Sequence, residues 1–225
     1  MIDCFVFLKK QPAQQRSLDS VNRILESSRQ ILAVAGYEAL STNRIAHEAG
    51  VNVASVYQYF PDKEAILCTL YLQWVAPVYA IYDDMLVQAR QGLPFLAMAR
   101  QLENRQSQLH ENTWGYQHMA HLVEMLPALR QLENEHVQRS AAYLADLLSA
   151  YREVWPRAQL LTYGAMLYRV IGTFNTAYAT AKPSEKALIL RIYRRTLIGM
   201  LRIYLNARQS AGRRVPRLRP PPATA

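Results

Sequence analysis

Residues 41–63, STNRIAHEAGVNVASVYQYFPDK, constrain this chain more than any other stretch. They read as two short helices around a sharp turn, followed by the start of a third. Ser41 is placed to cap the first helix by accepting a hydrogen bond from an orphaned backbone N–H. Ile45, Ala46 and Ala49 give that helix one apolar face, and Ala46 is small enough to let a second helix come close. Gly50 stands where the chain must reverse, a position that demands positive φ. Val51 would plug the space under the turn, and Asn52 would cap the second helix. Val56 and Phe60 then point inward, leaving Val53, Ala54, Ser55, Gln58 and Tyr59 near or at the surface. Tyr57 and Tyr59 lie two apart, so at least one faces outward. Asp62 caps the next helix directly after Pro61, with Lys63 in its first turn. Free N–H groups, the helix dipole and a lysine together suit a phosphate.

Serine caps and turn glycines occur in any helical hairpin, and the run YQYFPDKEA is what sets this one apart. Over about residues 18–67 the order of helix, GYEA, serine-capped helix, AGV, short helix and YQYFPDKEA closely resembles the tetracycline-repressor (TetR) family of bacterial transcriptional regulators. The resemblance implies a helix-turn-helix whose 53–59 helix enters the major groove of double-stranded DNA. It implies phosphate contacts at Ser41, Thr42, Ser55, Tyr59 and Lys63. Asn43, Arg44, Val53, Ala54, Tyr57 and Gln58 match positions near base edges or the adjoining backbone, and Asn52 sits among them at the turn. Family members often carry lysine or glycine where this chain has Val53 and Ala54. Those two would touch a thymine methyl, and Asn43 or Gln58 would pair an adenine edge.

The formal charge of +9 does not make this case. Residues 1–75 balance to zero, residues 76–181 to −1 and residues 182–225 to +10. The excess lies in the last helix and tail, so the DNA reading rests on the motif and not on charge. The alternative is sequence-blind, architectural DNA binding through the basic tail. Lys9 and Lys10 lie on a stretch 1–15 read as a flexible arm, with Arg16 directly after it, either reaching phosphate or a minor groove or simply solvated.

Half the residues are apolar, only eight are glycine, and no run alternates with period two, so the chain should be all-α with about nine helices. The expected division is an arm (1–15), a three-helix DNA-binding head (16–62), a helical ligand-binding and dimerisation body (63–209) and a Pro-rich basic tail (210–225). Helical periodicity predicts helices over 18–35, from 62 to about 74 and on to 90 after a break or kink at Pro77, to about 110, over 114–126, from Pro127 to about 151, over 158–181 and over 184–208. The 158–181 stretch is apolar enough to raise a membrane span, but Arg169 at its centre and several polar neighbours favour a helix buried on two sides. No membrane contact is expected, and a short apolar patch at 1–8 followed by lysines is no secretion signal, so a cytoplasmic location is expected. Cys4 and Cys68 have no metal-type spacing, and Cys68 reads as a buried thiol.

The last two helices, about 158–208, are too apolar for one protomer to cover, with Gly164, Ala165 and Gly172 allowing close approach. The resemblance implies that they pair with their twins in a two-fold homodimer, reading a pseudo-palindrome. It also implies an unknown small-molecule effector bound among the body helices, for which Trp74, Trp114, Tyr116 and His118 are the candidate residues. His118, His121 and Glu124 share one helix face that would suit a metal, but a polar surface accounts for them equally, and no metal or cofactor is expected. No phosphate loop, nucleophile elbow or His-Glu-x-x-His run points to an enzyme. Repression is the expected mode, with activation by the same fold the variant of it.

Overall fold

A 3.6-residue apolar period runs through almost the whole chain, and the computed structural model, which describes residues 3–111, 115–151 and 155–210, is correspondingly helical. The described residues form α1 (Gln15–Ala35), a 3₁₀ turn (Tyr37–Ala39), α2 (Thr42–Glu48), α3 (Val53–Tyr59), α4 (Lys63–Arg90), α5 (Phe95–Glu111), α6 (Gly115–Met125), α7 (Pro127–Tyr151), α8 (Arg157–Thr180) and α9 (Pro183–Ser210). Trp114 and the tail beyond Ser210 lie outside the described residues, as does the side chain of Tyr116.

Helix α1 buries Val21, Ile24, Leu25, Ile31 and Leu32 at three- and four-residue spacing, and α2, α3 and the start of α4 pack on that face. Gly36 ends it at φ +74°, a left-handed stop. In the rest of the chain α7 is the central helix, packed between α4 and α8, with α5, α6 and α9 around them. Buried Leu129, Val137, Leu144, Ala145, Leu147 and Leu148 line its inner faces.

Two expectations, a break at Pro77 and two-sided burial of α8, need correction. Helix α4 runs unbroken through Pro77. Proline removes one backbone donor, but Pro77 is exposed, and buried Val75, Val78, Tyr79 and Tyr82 hold both sides in register. Helix α8 is buried on one face only within the chain, through Leu160, Tyr163, Gly164, Leu167, Ile171 and Asn175, while Met166 is 43% exposed. Gly164 is taken up inside the protomer, because a Cβ there would lie 2.6 Å from the Ala141 carbonyl oxygen of α7. Among the described residues the helix long and apolar enough to cross a membrane is α4, not α8, and 67% of its most apolar window is buried in the fold. That burial is what a core helix requires.

Candidate nucleic-acid interface

The short helices of residues 41–63 form where their caps are satisfied. Ser41 Oγ accepts from the Arg44 N–H at 3.2 Å, Asn52 Oδ1 from the Ser55 N–H at 2.6 Å, and Asp62 Oδ1 from the Ala65 N–H at 2.8 Å. Each bond satisfies a donor that the helix itself cannot pair. Between α2 and α3, Gly50 takes φ +62°. The Val51 N–H reaches back to the Ala46 carbonyl at 3.0 Å, closing the turn. Ile45, Ala46, Val56 and Phe60 are buried beneath it, Ile45, Val56 and Phe60 fully.

This packing presents one polar strip to solvent. Asn43, Arg44, Ala54, Tyr57 and Gln58 are exposed, and Thr42, Val53 and Ser55 are half-buried. The Thr42 and Tyr57 hydroxyls are hydrogen-bonded at 3.0 Å, tying the start of α2 to the middle of α3 across the exposed side. Tyr57 itself is 45% exposed. Lys63, at the start of α4, donates to the Leu40 carbonyl at 3.5 Å and stands 4.2 Å over the Tyr37 ring. A cation so placed is held on an aromatic face, at the first residue of α4 and against the carbonyl two residues before α2. Tyr37 is a member of this strip that motif reading passed over. Its signal was the GYEA run, which the resemblance used only as a spacer.

Tyr59 is a correction: it is only 6% exposed and belongs to the core of the head. The 100° step of a helix allows one of two tyrosines at i and i+2 to face out, and the packing of α3 on α1 and α2 leaves Tyr57 as that one. Asn52 and Ser55 are also partly committed, since the Ser55 hydroxyl donates to Asn52 Oδ1 at 2.8 Å. The N-terminal arm is a second correction. Leu8 is buried, Cys4, Phe5 and Phe7 pack on the core, and the Lys9 N–H donates to the Tyr59 carbonyl at 2.8 Å. The arm therefore lies against the protein, because an apolar CFVFL run gains more from burial than from solvation.

Of the candidate effector residues, Trp74 and His118 lie within the described side chains, on α4 and α6. Trp74 is half-buried, edge-on to Tyr71 with centroids 5.7 Å apart. It borders a slot of about 20 Å³ with Tyr82, His136 and Tyr168, room for a single water. His118 on α6 is half-buried, which lowers its pKa by desolvation, and it does not line that slot. His121 and Glu124 are exposed, and no metal-binding group of three His, Cys, Asp or Glu side chains occurs among the described residues. The polar centre of the body lies instead on α7. Glu133 accepts from the Tyr71 hydroxyl at 2.7 Å and from the Tyr168 hydroxyl at 3.3 Å. Burial raises its pKa, against the pull of those hydroxyls and Arg169. His136 is hydrogen-bonded to the Tyr79 hydroxyl, and burial, then Arg139, push its pKa down to about 4. Cys68 is buried, and desolvation, then Glu64 and Asp62, push its thiol up to about 11, far from a reactive thiolate.

The comparisons with known proteins agree with this geometry. Residues 24–68 match the model of bacterial regulatory proteins of the tetR family. A TetR-family transcriptional regulator of Mesorhizobium loti superposes with a TM-score of 0.67, at 17% identity over 84% of this chain and 98% of its own. Thermus thermophilus FadR, a TetR-family repressor solved with lauroyl-CoA, superposes with a TM-score of 0.55, at 17% identity over 91% and 99%. Residues 24–68 thus match the tetR-family model, and the described residues share the all-helical fold of these transcriptional regulators.

Proposed function

We propose that the protein is a transcriptional repressor that binds a pseudo-palindromic operator as a homodimer and leaves it when a small molecule occupies the body. The observation that carries the DNA reading is the exposed strip in which Tyr57 is braced by Thr42, and Lys63 by Tyr37 and Leu40. Held side chains lose little freedom on meeting phosphate, so their contacts are not offset by ordering entropy. Asn43, Arg44, Ala54 and Gln58 supply the exposed polar and methyl groups for base edges. Tyr59 enters this reading only through its backbone. We assign the chain binding and no reaction.

The dimer reading is supported by apolar side chains left uncovered on the last two helices. Leu188, Ile192 and Ile203 on α9 are 51%, 47% and 58% exposed, and Met166 on α8 is 43% exposed. Two heads one helical turn of DNA apart would supply the specificity one short helix lacks. FadR, a repressor solved in complex with lauroyl-CoA, is the precedent for a small molecule bound by such a fold.

The test is footprinting of the DNA upstream of the gene with the full chain, Tyr57→Ala and Lys63→Ala. The full chain should protect a discrete, two-fold symmetric stretch. Each variant should weaken protection about tenfold, the cost of one charge-assisted or braced contact. Lys63→Ala should also lower the salt slope by about one. Protection that survives both variants, or that is lost on removing residues 211–225 alone, would favour the basic-tail reading instead.

A further inference from the structure

The N-terminal segment does more than pack. The Phe5 N–H donates to Asp3 Oδ1 at 2.9 Å, and the Leu8 N–H to the Phe5 carbonyl at 3.0 Å, folding residues 3–8 into a short turn. Leu8 anchors the turn in the core. Lys9 then bonds the carbonyl of Tyr59, the last residue of α3. The opposite side of the same turn, through Asp3, Val6 and Phe7, walls a cleft of about 520 Å³ between α4 and α7. Tyr71, Val75 and Tyr79 line the cleft from α4, and Leu132 and His136 from α7. One strap of seven residues thus touches both a ligand-sized cavity and the end of the candidate recognition helix.

The lining defines what fits. Its charged groups are Asp3, Glu135 and Arg139. Arg139 is spread over the Tyr79 ring at 4.5 Å, and Glu135 accepts from Gln131 at 3.1 Å. No cluster of one sign is offered to an ion, whereas the walls are apolar and aromatic, and Val6 is left 60% exposed at the cleft. The volume falls in the range of small-molecule sites. An apolar occupant would cover Val6 and gain in proportion to the area removed from water.

We infer that the α4–α7 cleft binds a compact, uncharged hydrophobic molecule, and that the strap passes its occupancy to α3 through the Lys9–Tyr59 bond. The effect on operator binding rests on the repressor reading; the site and the strap do not.

The probe is N-phenyl-1-naphthylamine, uncharged and fluorescent in apolar surroundings, titrated into the full-length chain without DNA. Hydrogen exchange of peptides covering 3–10 and 53–60 is followed in the same titration. Gln131→Phe sets a ring at the cleft from an exposed position and should raise the probe Kd at least fivefold. Phe7→Ala opens the outer wall and should raise it at least threefold, with helical circular dichroism unchanged in both. Bound probe should slow exchange in 3–10 and alter it in 53–60, and Phe7→Ala should abolish the second effect. Absence of saturable binding, an unchanged Kd in either variant, or exchange changes that never reach 53–60 would overturn the inference. An absent footprint would instead strike at the repressor reading alone.

Discussion

Gly50 holds the turn between α2 and α3 at φ +62°, where a side chain costs about 1–2 kcal/mol. Space is not the obstacle, since a Cβ there would meet only Arg23 at an ordinary 3.8 Å. Gly50→Ala should therefore lower stability by about 1–2 kcal/mol through the backbone alone, measured as the shift in a denaturant midpoint at constant m-value. The two tyrosines of α3 show how finely residue roles divide. Tyr57 keeps its hydroxyl on the exposed strip with Thr42, whereas Tyr59 lends its ring to the core and its carbonyl to Lys9. The caps Ser41, Asn52 and Asp62 were legible because each acts on its own helix within three residues. The seat of Lys63 over Tyr37 was not, since it joins residues 26 positions apart.

At the scale of elements, the junction of α7 and α8 is set by Gly164 against the Ala141 carbonyl. A methyl group cannot occupy 2.6 Å from backbone oxygen, so the helices must move apart. Gly164→Ala should cost about 1–3 kcal/mol, and calorimetry of the variant would show it as a lower Tm. The outward face of α9 carries the opposite prediction. Ile192→Glu with Ile203→Glu changes residues that touch water in the protomer. It should leave helical content intact yet turn a dimer into a monomer by light scattering at micromolar concentration. A wild-type chain that already runs as a monomer would remove the dimer from the proposed mechanism. Periodicity placed these helices well. It left open whether Pro77 breaks or only bends α4, and the helix continues because the packing on either side of the proline outweighs the one lost bond.

For the whole molecule, buried His136 links stability to pH. Its pKa falls from 6.5 in the unfolded chain to about 4 in the folded one. Between those values the unfolded state binds the extra proton, so stability is full above about pH 6.5 and is lost as pH falls toward 4. The slope from this group is at most about 1.4 kcal/mol per pH unit. Glu133, whose pKa is raised, acts with the opposite sign: its protonation favours the folded state as pH falls. Urea melts of the wild type and His136→Gln from pH 7.5 to 4.5 separate the two, and the variant should lose the acid-side decline assigned to His136.

Local order in this protein was written into short stretches of chain: the caps, the left-handed turn at Gly50, the 3.6-residue apolar period and the YQYFPDKEA run each act through neighbours a few residues away, and together they specified a helical chain with a helix-turn-helix head. Which way each helix faces was not local. The inward turn of Tyr59, the folding back of residues 3–8, the commitment of Gly164 to α7 and the gathering of Tyr71, Tyr168 and His136 around α7 all depend on contacts between distant segments. Such contacts are won by the total apolar surface that one arrangement buries, and no single stretch of sequence contains that sum.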